Sequence, residues 1–144
     1  MKSTAILIFS LIIVTTPRIV AQSGGTLIDS CATAAGDDAT YLKDFVVKLP
    51  KAAEGQQLPV ARYPLVLSKS NIYRFSVCSA GKARAVLQIY DSNRMIFSSV
   101  NKETGEEFNP FNFLCQKTGI YHVFISFLDG EGGQAVGILS YVNK

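Results

Sequence analysis

Apolar and polar residues alternate along most of the chain that follows residue 39. A period of two residues is typical of β-strands that turn one face towards a core. No stretch after residue 22 keeps the period of an amphipathic helix. Turn-forming residues divide the alternation into short segments. The pattern predicts eight strands: 40–49, 60–67, 72–78, 83–91, 95–100, 108–116, 120–128 and 134–142.

The number and spacing of the strands predict the fold class. Eight short antiparallel strands over one core favour an all-β, two-sheet sandwich of jelly-roll type. Pro64 favours an edge strand or a bulge, because proline cannot donate a hydrogen bond to a neighbouring strand. The 120–128 strand is apolar on both faces, so we expect it to be central. The sandwich is predicted to span residues 41–144, after an irregular extension over residues 22–40.

The first 21 residues have the organisation of an export signal. A short, positively charged start precedes an apolar run over residues 5–14, and small or aliphatic residues precede a cleavage site between Ala21 and Gln22. The apolar run is about half the length of a membrane-spanning helix. We therefore expect a cleavable signal peptide, a secreted or periplasmic protein, and no membrane span after cleavage.

The charge balance argues against a nucleic-acid partner. The chain carries 14 Lys and Arg residues against 11 Asp and Glu residues, a net charge of +3. Lys2 and Arg18 lie in the signal, so the mature chain keeps 12 against 11, a net charge of +1. Nucleic-acid binding needs a clustered basic face, which this near-neutral chain does not suggest.

Export places the three cysteines in an oxidising compartment, where one disulfide and one free thiol are expected. Their spacing matches no metal-binding motif. If every strand crosses the sandwich once, Cys31 and Cys115 lie at one end and Cys78 lies at the other. The sequence therefore predicts a Cys31–Cys115 disulfide and a free thiol at Cys78, unless the extension runs across the fold.

Three strand segments resemble the pre-peptidase C-terminal family of exported bacterial β-sandwiches. They are residues 72–77 (IYRFSV), 87–91 (LQIYD) and 118–125 (TGIYHVFI), and the likeness covers roughly residues 60–144. Domains of that family are usually accessory: they assist secretion, folding or substrate contact. The resemblance therefore implies a β-sandwich with an accessory, non-catalytic role.

Residue types suited to catalysis or metal binding are sparse, so we expect no catalytic residue and no cofactor. His122 is the only histidine and lies in the middle of a predicted strand, with no nucleophile motif in the chain. Asp129 and Glu131 could offer oxygen ligands to calcium, but their loop is more typical of a solvated hairpin.

Exposed aromatic side chains would suit a glycan ligand, since sugars stack on aromatic rings. Tyr63, Tyr90 and Phe97 are candidates, although core packing would explain them equally well. The chain has no tryptophan, which weakens the case for a glycan ligand.

These observations predict a non-catalytic, exported binding or accessory module whose partner is a protein or glycan of the cell envelope. An aromatic strip on one sheet would favour this function. The alternative is a structural or protein-interaction component of the envelope, which an exposed apolar patch or an uncovered edge strand would favour. A small hydrolase would need His122 in a pocket beside an acid and a nucleophile.

The signal peptide can be tested on the exported protein. Mass spectrometry should find an N-terminus at Gln22, or at its cyclised form, because the cut follows Ala21. An intact Met1 in the membrane fraction would contradict the cleavage prediction.

Overall fold

The computed structural model describes residues 24–143 and contains one α-helix followed by eight strands. The predicted signal peptide and its cleavage site lie outside these residues. Every predicted strand has a counterpart. The elements are α1 (Gly24–Ala34), β1 (Ala39–Leu49), β2 (Ala61–Leu67), β3 (Ile72–Ser79), β4 (Ala85–Asp91), β5 (Arg94–Ser98), β6 (Phe111–Leu114), β7 (Gly119–Phe127) and β8 (Gly133–Val142).

The strands form two four-stranded antiparallel sheets, ordered β1-β8-β3-β6 and β2-β7-β4-β5. The chain changes sheet at every connection between strands except the β4–β5 hairpin. This order is that of a jelly roll, so the predicted all-β sandwich is confirmed. β2, which contains Pro64, lies at an edge, and β7 lies between two partners, as the sequence predicts.

One apolar core fills the space between the sheets. Alternate residues of each strand point into it, as the period of two requires. In β8, Gly137 allows close packing against β7, because a Cβ atom there would lie 2.9 Å from Ile125 Cδ1. The largest fully buried apolar side chains of this core are Phe45, Phe75, Leu67, Leu87, Ile89, Ile125 and Val123.

β6 is shorter than the predicted 108–116 strand because a side chain replaces backbone pairing at its start. The Asn109 amide donates a hydrogen bond to the Val77 carbonyl at 2.7 Å, and its Oδ1 accepts one from the Val77 N–H at 3.0 Å. Pro110, which follows, has no N–H to offer. Asn109 thus satisfies the polar groups of β3 where the regular ladder stops.

The segment before β1 is helical, so the prediction of an irregular extension is wrong. Helix α1 packs Cys31, Leu27 and Ile28 against the outer side of β8, where it covers Val136 and Ile138. Positions 27, 28, 31, 32 and 35 carry small or apolar residues at the helical spacing of three and four. This stripe is short, so it does not produce the sustained period of three to four residues that is typical of an amphipathic helix.

The disulfide joins Cys31 to Cys78, with a Cα–Cα distance of 5.7 Å, and Cys115 is the free cysteine. The predicted Cys31–Cys115 pair and the free thiol at Cys78 are therefore wrong. The physical reason is the face on which each thiol lies. Helix α1 runs over the outer side of the sheet, and Cys78 points outwards beneath it, whereas Cys115 points into the core and is 1% exposed.

Arg74 on β3 provides a second attachment for the end of the helix. Its Nη1 donates a hydrogen bond to the Ala35 carbonyl at 2.8 Å, and its guanidinium also binds the carboxylate of Asp38 and the amide oxygen of Asn112. A cation at this position suits the negative end of the helix dipole. The hydrogen bonds from Arg74 lower the pKa of Asp38, whose side chain is mostly exposed.

The disulfide should stabilise the fold by holding α1 on the sheet. The Cys31→Ser/Cys78→Ser double variant should lose about 4 kcal/mol of unfolding free energy, since a loop of this length restricts the unfolded chain. Denaturant unfolding measures this loss, and non-reducing peptide mapping should link the same two cysteines. A bridge that includes Cys115 would contradict this structure.

The Asp38–Arg74 pair should make stability depend on pH. Because the folded pKa of Asp38 is lowered, its contribution is present above the unfolded pKa and is lost as the pH falls through the folded value. Wild type should melt above Asp38→Asn at pH 7, and the difference should shrink in acid. A difference in Tm that stays constant across the titration would argue against the ion pair.

Candidate functional site

The two outer faces of the sandwich differ. Helix α1, the one α-helix in residues 24–143, contacts β8, β3 and β1, so it covers the sheet that we call the helix-covered sheet. The β2-β7-β4-β5 sheet, which we call the open sheet, has no helix of the described residues packed on its outer side. The open sheet therefore offers the sheet face that no helix of residues 24–143 covers.

A row of side chains crosses the outer side of the open sheet from β2 to β5. The Arg62 guanidinium carbon lies 4.9 Å from the centre of the Phe124 ring. Phe124 stacks on Tyr90, with ring centroids 4.4 Å apart and planes inclined by 23°. Met95, which is 48% exposed, pairs with Tyr90 across the β4–β5 ladder. We call these four residues the aromatic row.

A groove of about 490 Å³ opens on the β5 side of Tyr90. Tyr90 therefore lies between Phe124 on one side and the groove on the other. The volume falls within the range of roughly 300–1,000 Å³ that is typical of small-molecule sites. The groove is lined by Gln88, Tyr90, Met95, Ser98, Val100, Asn101, Lys102, Glu103 and Phe108.

Local hydrogen bonds close the loop that forms one wall of the groove. The Asn101 Oδ1 accepts a hydrogen bond from the Glu103 N–H at 2.9 Å, in the manner of an Asx turn. The Asn101 N–H donates to the Glu106 carbonyl at 2.8 Å, and the Gly105 N–H donates to the Asn101 carbonyl at 2.7 Å. The loop thus has a defined backbone while the side chains of Lys102 and Glu103 remain exposed.

The groove offers both hydrogen-bond donors and acceptors. The Gln88 Nε2 donates a hydrogen bond to the Met95 sulfur at 3.2 Å. The side-chain carbonyl oxygen of Gln88 can then accept a hydrogen bond from another partner. Lys102 and Glu103 carry opposite charges, so the lining residues carry no net charge. This combination suits a ligand with polar groups around an apolar surface.

His122 lies on the outer side of the open sheet, between Pro64 on β2 and Tyr90 on β4. Its imidazole is half-buried and does not line the groove. Across residues 24–143, no hydroxyl or carboxylate side chain is hydrogen-bonded to it. Among these residues, His122 is therefore not paired with a nucleophile.

Asp129 and Glu131 lie in the connection between β7 and β8, where a 3₁₀ turn spans Leu128–Gly130. No group of three or more His, Cys, Asp or Glu side chains within the described range could hold a metal ion. The two acids therefore gain no third ligand of these types, and the fold does not bring the calcium candidates into a recognisable site.

Of the three candidate aromatics, only Tyr90 lies on the open face. The Tyr63 ring packs 5.0 Å from that of Phe45, and the Phe97 ring stacks 3.7 Å from that of Phe111. The sequence did not indicate that Arg62, Phe124 and Met95 belong to the candidate site. Arg62 and Phe124 occupy outward positions that alternate with more buried residues of β2 and β7. The alternation therefore indicates the face on which each side chain lies, but not which side chains of other strands lie beside it.

No protein-family model matches the chain, and no curated protein matches it. The resemblance to the pre-peptidase C-terminal family stays a prediction that depends on three strand segments. No helix within residues 24–143 is long and apolar enough to span a membrane.

Proposed function

We propose that this protein is a non-catalytic, exported binding module of the cell envelope or medium, and that the open sheet is its binding face. One observation carries the proposal: α1 covers one outer face, while the other presents the aromatic row beside a groove. Grooves that combine aromatic side chains with a few polar groups are typical of ligand sites.

The exposed apolar side chains of the open sheet support the same face. Val66 and Ile120 lie opposite each other on β2 and β7 and are 69% and 60% exposed. Met95 on β5 adds a third exposed apolar side chain to the same sheet. Adjacent exposed apolar side chains such as Val66 and Ile120 mark a site of interaction more often than isolated exposed residues do.

Export and an accessory role belong to the same proposal. The predicted leader over residues 1–21 supports export, and the Cys31–Cys78 disulfide is compatible with an oxidising compartment. The resemblance to an accessory β-sandwich family agrees with a role beside other proteins of the envelope. We do not propose a hydrolase, since His122 lies apart from the groove and has no catalytic partner in the described part.

A second candidate is a protein-interaction component of the envelope. The pair Val66 and Ile120 favours it, because Val66 lies on edge strand β2, Ile120 lies beside it on β7, and neither residue lines the groove. A protein partner would cover this apolar pair, whereas a small ligand would occupy the groove. The Val66→Ser/Ile120→Ser variant tests the second candidate separately.

Binding by the open sheet can be tested in two assays. In one, envelope extract is applied to the immobilised exported protein, and in the other the exported protein is applied to a glycan array. The Phe124→Ala/Met95→Ala variant should bind about tenfold more weakly, because it removes two of the four side chains of the aromatic row. Val46→Ala is the matched control: Val46 is 46% exposed, close to the value for Met95, but lies on β1 of the helix-covered sheet.

The extract should be divided into protease-treated and periodate-treated portions. Loss of binding only after periodate indicates a glycan ligand, and loss only after protease, with sensitivity to Val66→Ser/Ile120→Ser, indicates a protein partner. Equal binding by wild type and the Phe124→Ala/Met95→Ala variant would contradict the open sheet as the binding face.

A further inference from the structure

The groove beside Tyr90 has the chemistry of a site for one sugar ring. We infer that it binds an uncharged pyranose unit of a glycan, an inference that rests on the proposed binding function of the open sheet. Three properties of the groove carry it: an apolar floor, a wall with donors and acceptors, and a lining without net charge.

The apolar floor matches the C–H side of a sugar ring. Phe124 packs on one side of Tyr90, so the ring of Tyr90 is held in place and borders the groove on its other side. The negative face of an aromatic ring attracts the polarised C–H groups of a sugar. Met95 and Phe108, which are both exposed in part, enlarge this apolar surface.

The wall matches the hydroxyl groups, which both donate and accept hydrogen bonds. Asn101 uses its Oδ1 within the loop, so its amide N–H groups can donate to a ligand, as can Lys102. Gln88 uses its Nε2 on Met95, so its carbonyl oxygen can accept, as can the Glu103 carboxylate.

Charge and size distinguish this ligand from other classes. Lys102 and Glu103 cancel, so an acidic sugar gains no attraction over an uncharged one. A stable protein partner would need roughly 20–30 residues on each side of the interface, whereas nine residues line this groove. The loop that Asn101 closes forms its wall before binding, which lowers the cost of ordering on association.

The test is an NMR titration of the isotope-labelled exported protein. The probes are methyl β-glucoside, methyl β-galactoside and N-acetylglucosamine, with glucuronate as an acidic comparison. At least one uncharged probe should give saturable shifts confined to amides of residues 88–108, and glucuronate should saturate no more tightly than that probe. Amide shifts also report weak affinities, which are expected for a single sugar ring.

Two variants then locate the site. Tyr90→Ala should weaken binding about tenfold by removing the stacking surface. Glu103→Ala should weaken it by a similar factor, about tenfold, by removing a charged acceptor. Because Glu103 contributes only its backbone N–H to the loop, Glu103→Ala keeps the fold and remains informative if Tyr90→Ala unfolds. Val46→Ala should bind as wild type does.

The outcomes separate this inference from the proposed function. If no uncharged probe shifts the groove amides, while envelope extract still binds through the aromatic row, the sugar site is wrong and the binding function stands. Saturable sugar binding that both groove variants leave unchanged also overturns the inference. If neither the sugars nor the extract bind, the proposed function fails as well.

Discussion

Two sheets pack face to face over a single apolar core, and this packing assigns one side of every strand to the interior. Gly137 in β8 lies against Ile125 in β7 without room for a Cβ atom, which would be 2.9 Å from Ile125 Cδ1. A larger side chain at residue 137 would require Ile125 and its neighbours to repack, since protein cores are packed to the density of organic crystals. What remains for function is the two outer faces and the loops that join them.

The outer faces bury their apolar side chains in different ways. On the helix-covered sheet, Val136 and Ile138 are fully buried beneath α1, which the disulfide and Arg74 hold in place. On the open sheet, Phe124 and Tyr90 instead pack on each other, and Arg62 closes the far side of the stack. A row of this kind stays partly exposed, so part of its surface remains open to solvent.

The sequence predicted strand positions and inward faces well, because the period of two reports burial directly. It did not reveal α1, whose apolar stripe spans 11 residues of helix. The predicted disulfide depends on the end of the strand at which each cysteine lies, and this criterion selects the wrong pair. The face was the better guide: Cys78 alternates with the inward Val77, whereas Cys115 shares its face with core aromatics. A segment packed outside the sandwich can reach only the outward thiol.

The candidate site could not be predicted from the sequence, because it depends on the register in which neighbouring strands pair. The ladder between β4 and β5 shifts between Ile89 and Tyr90, and such irregularities redirect side chains and change which residues face each other. This shift places Tyr90 opposite Met95. A slip by one residue would exchange the outward and inward sets, and the alternation alone does not specify the pairing of two particular strands.

The wall of the groove follows from the topology. β5 and β6 are edge strands of opposite sheets, and the Phe97–Phe111 stack joins them along one side of the sandwich. The connection between them must therefore pass from the open sheet to the helix-covered sheet around that side. Asn101 folds the start of this connection back on itself, beside the one hairpin that stays within a sheet. The strand order thus places a self-closed polar loop next to the outward ring of Tyr90.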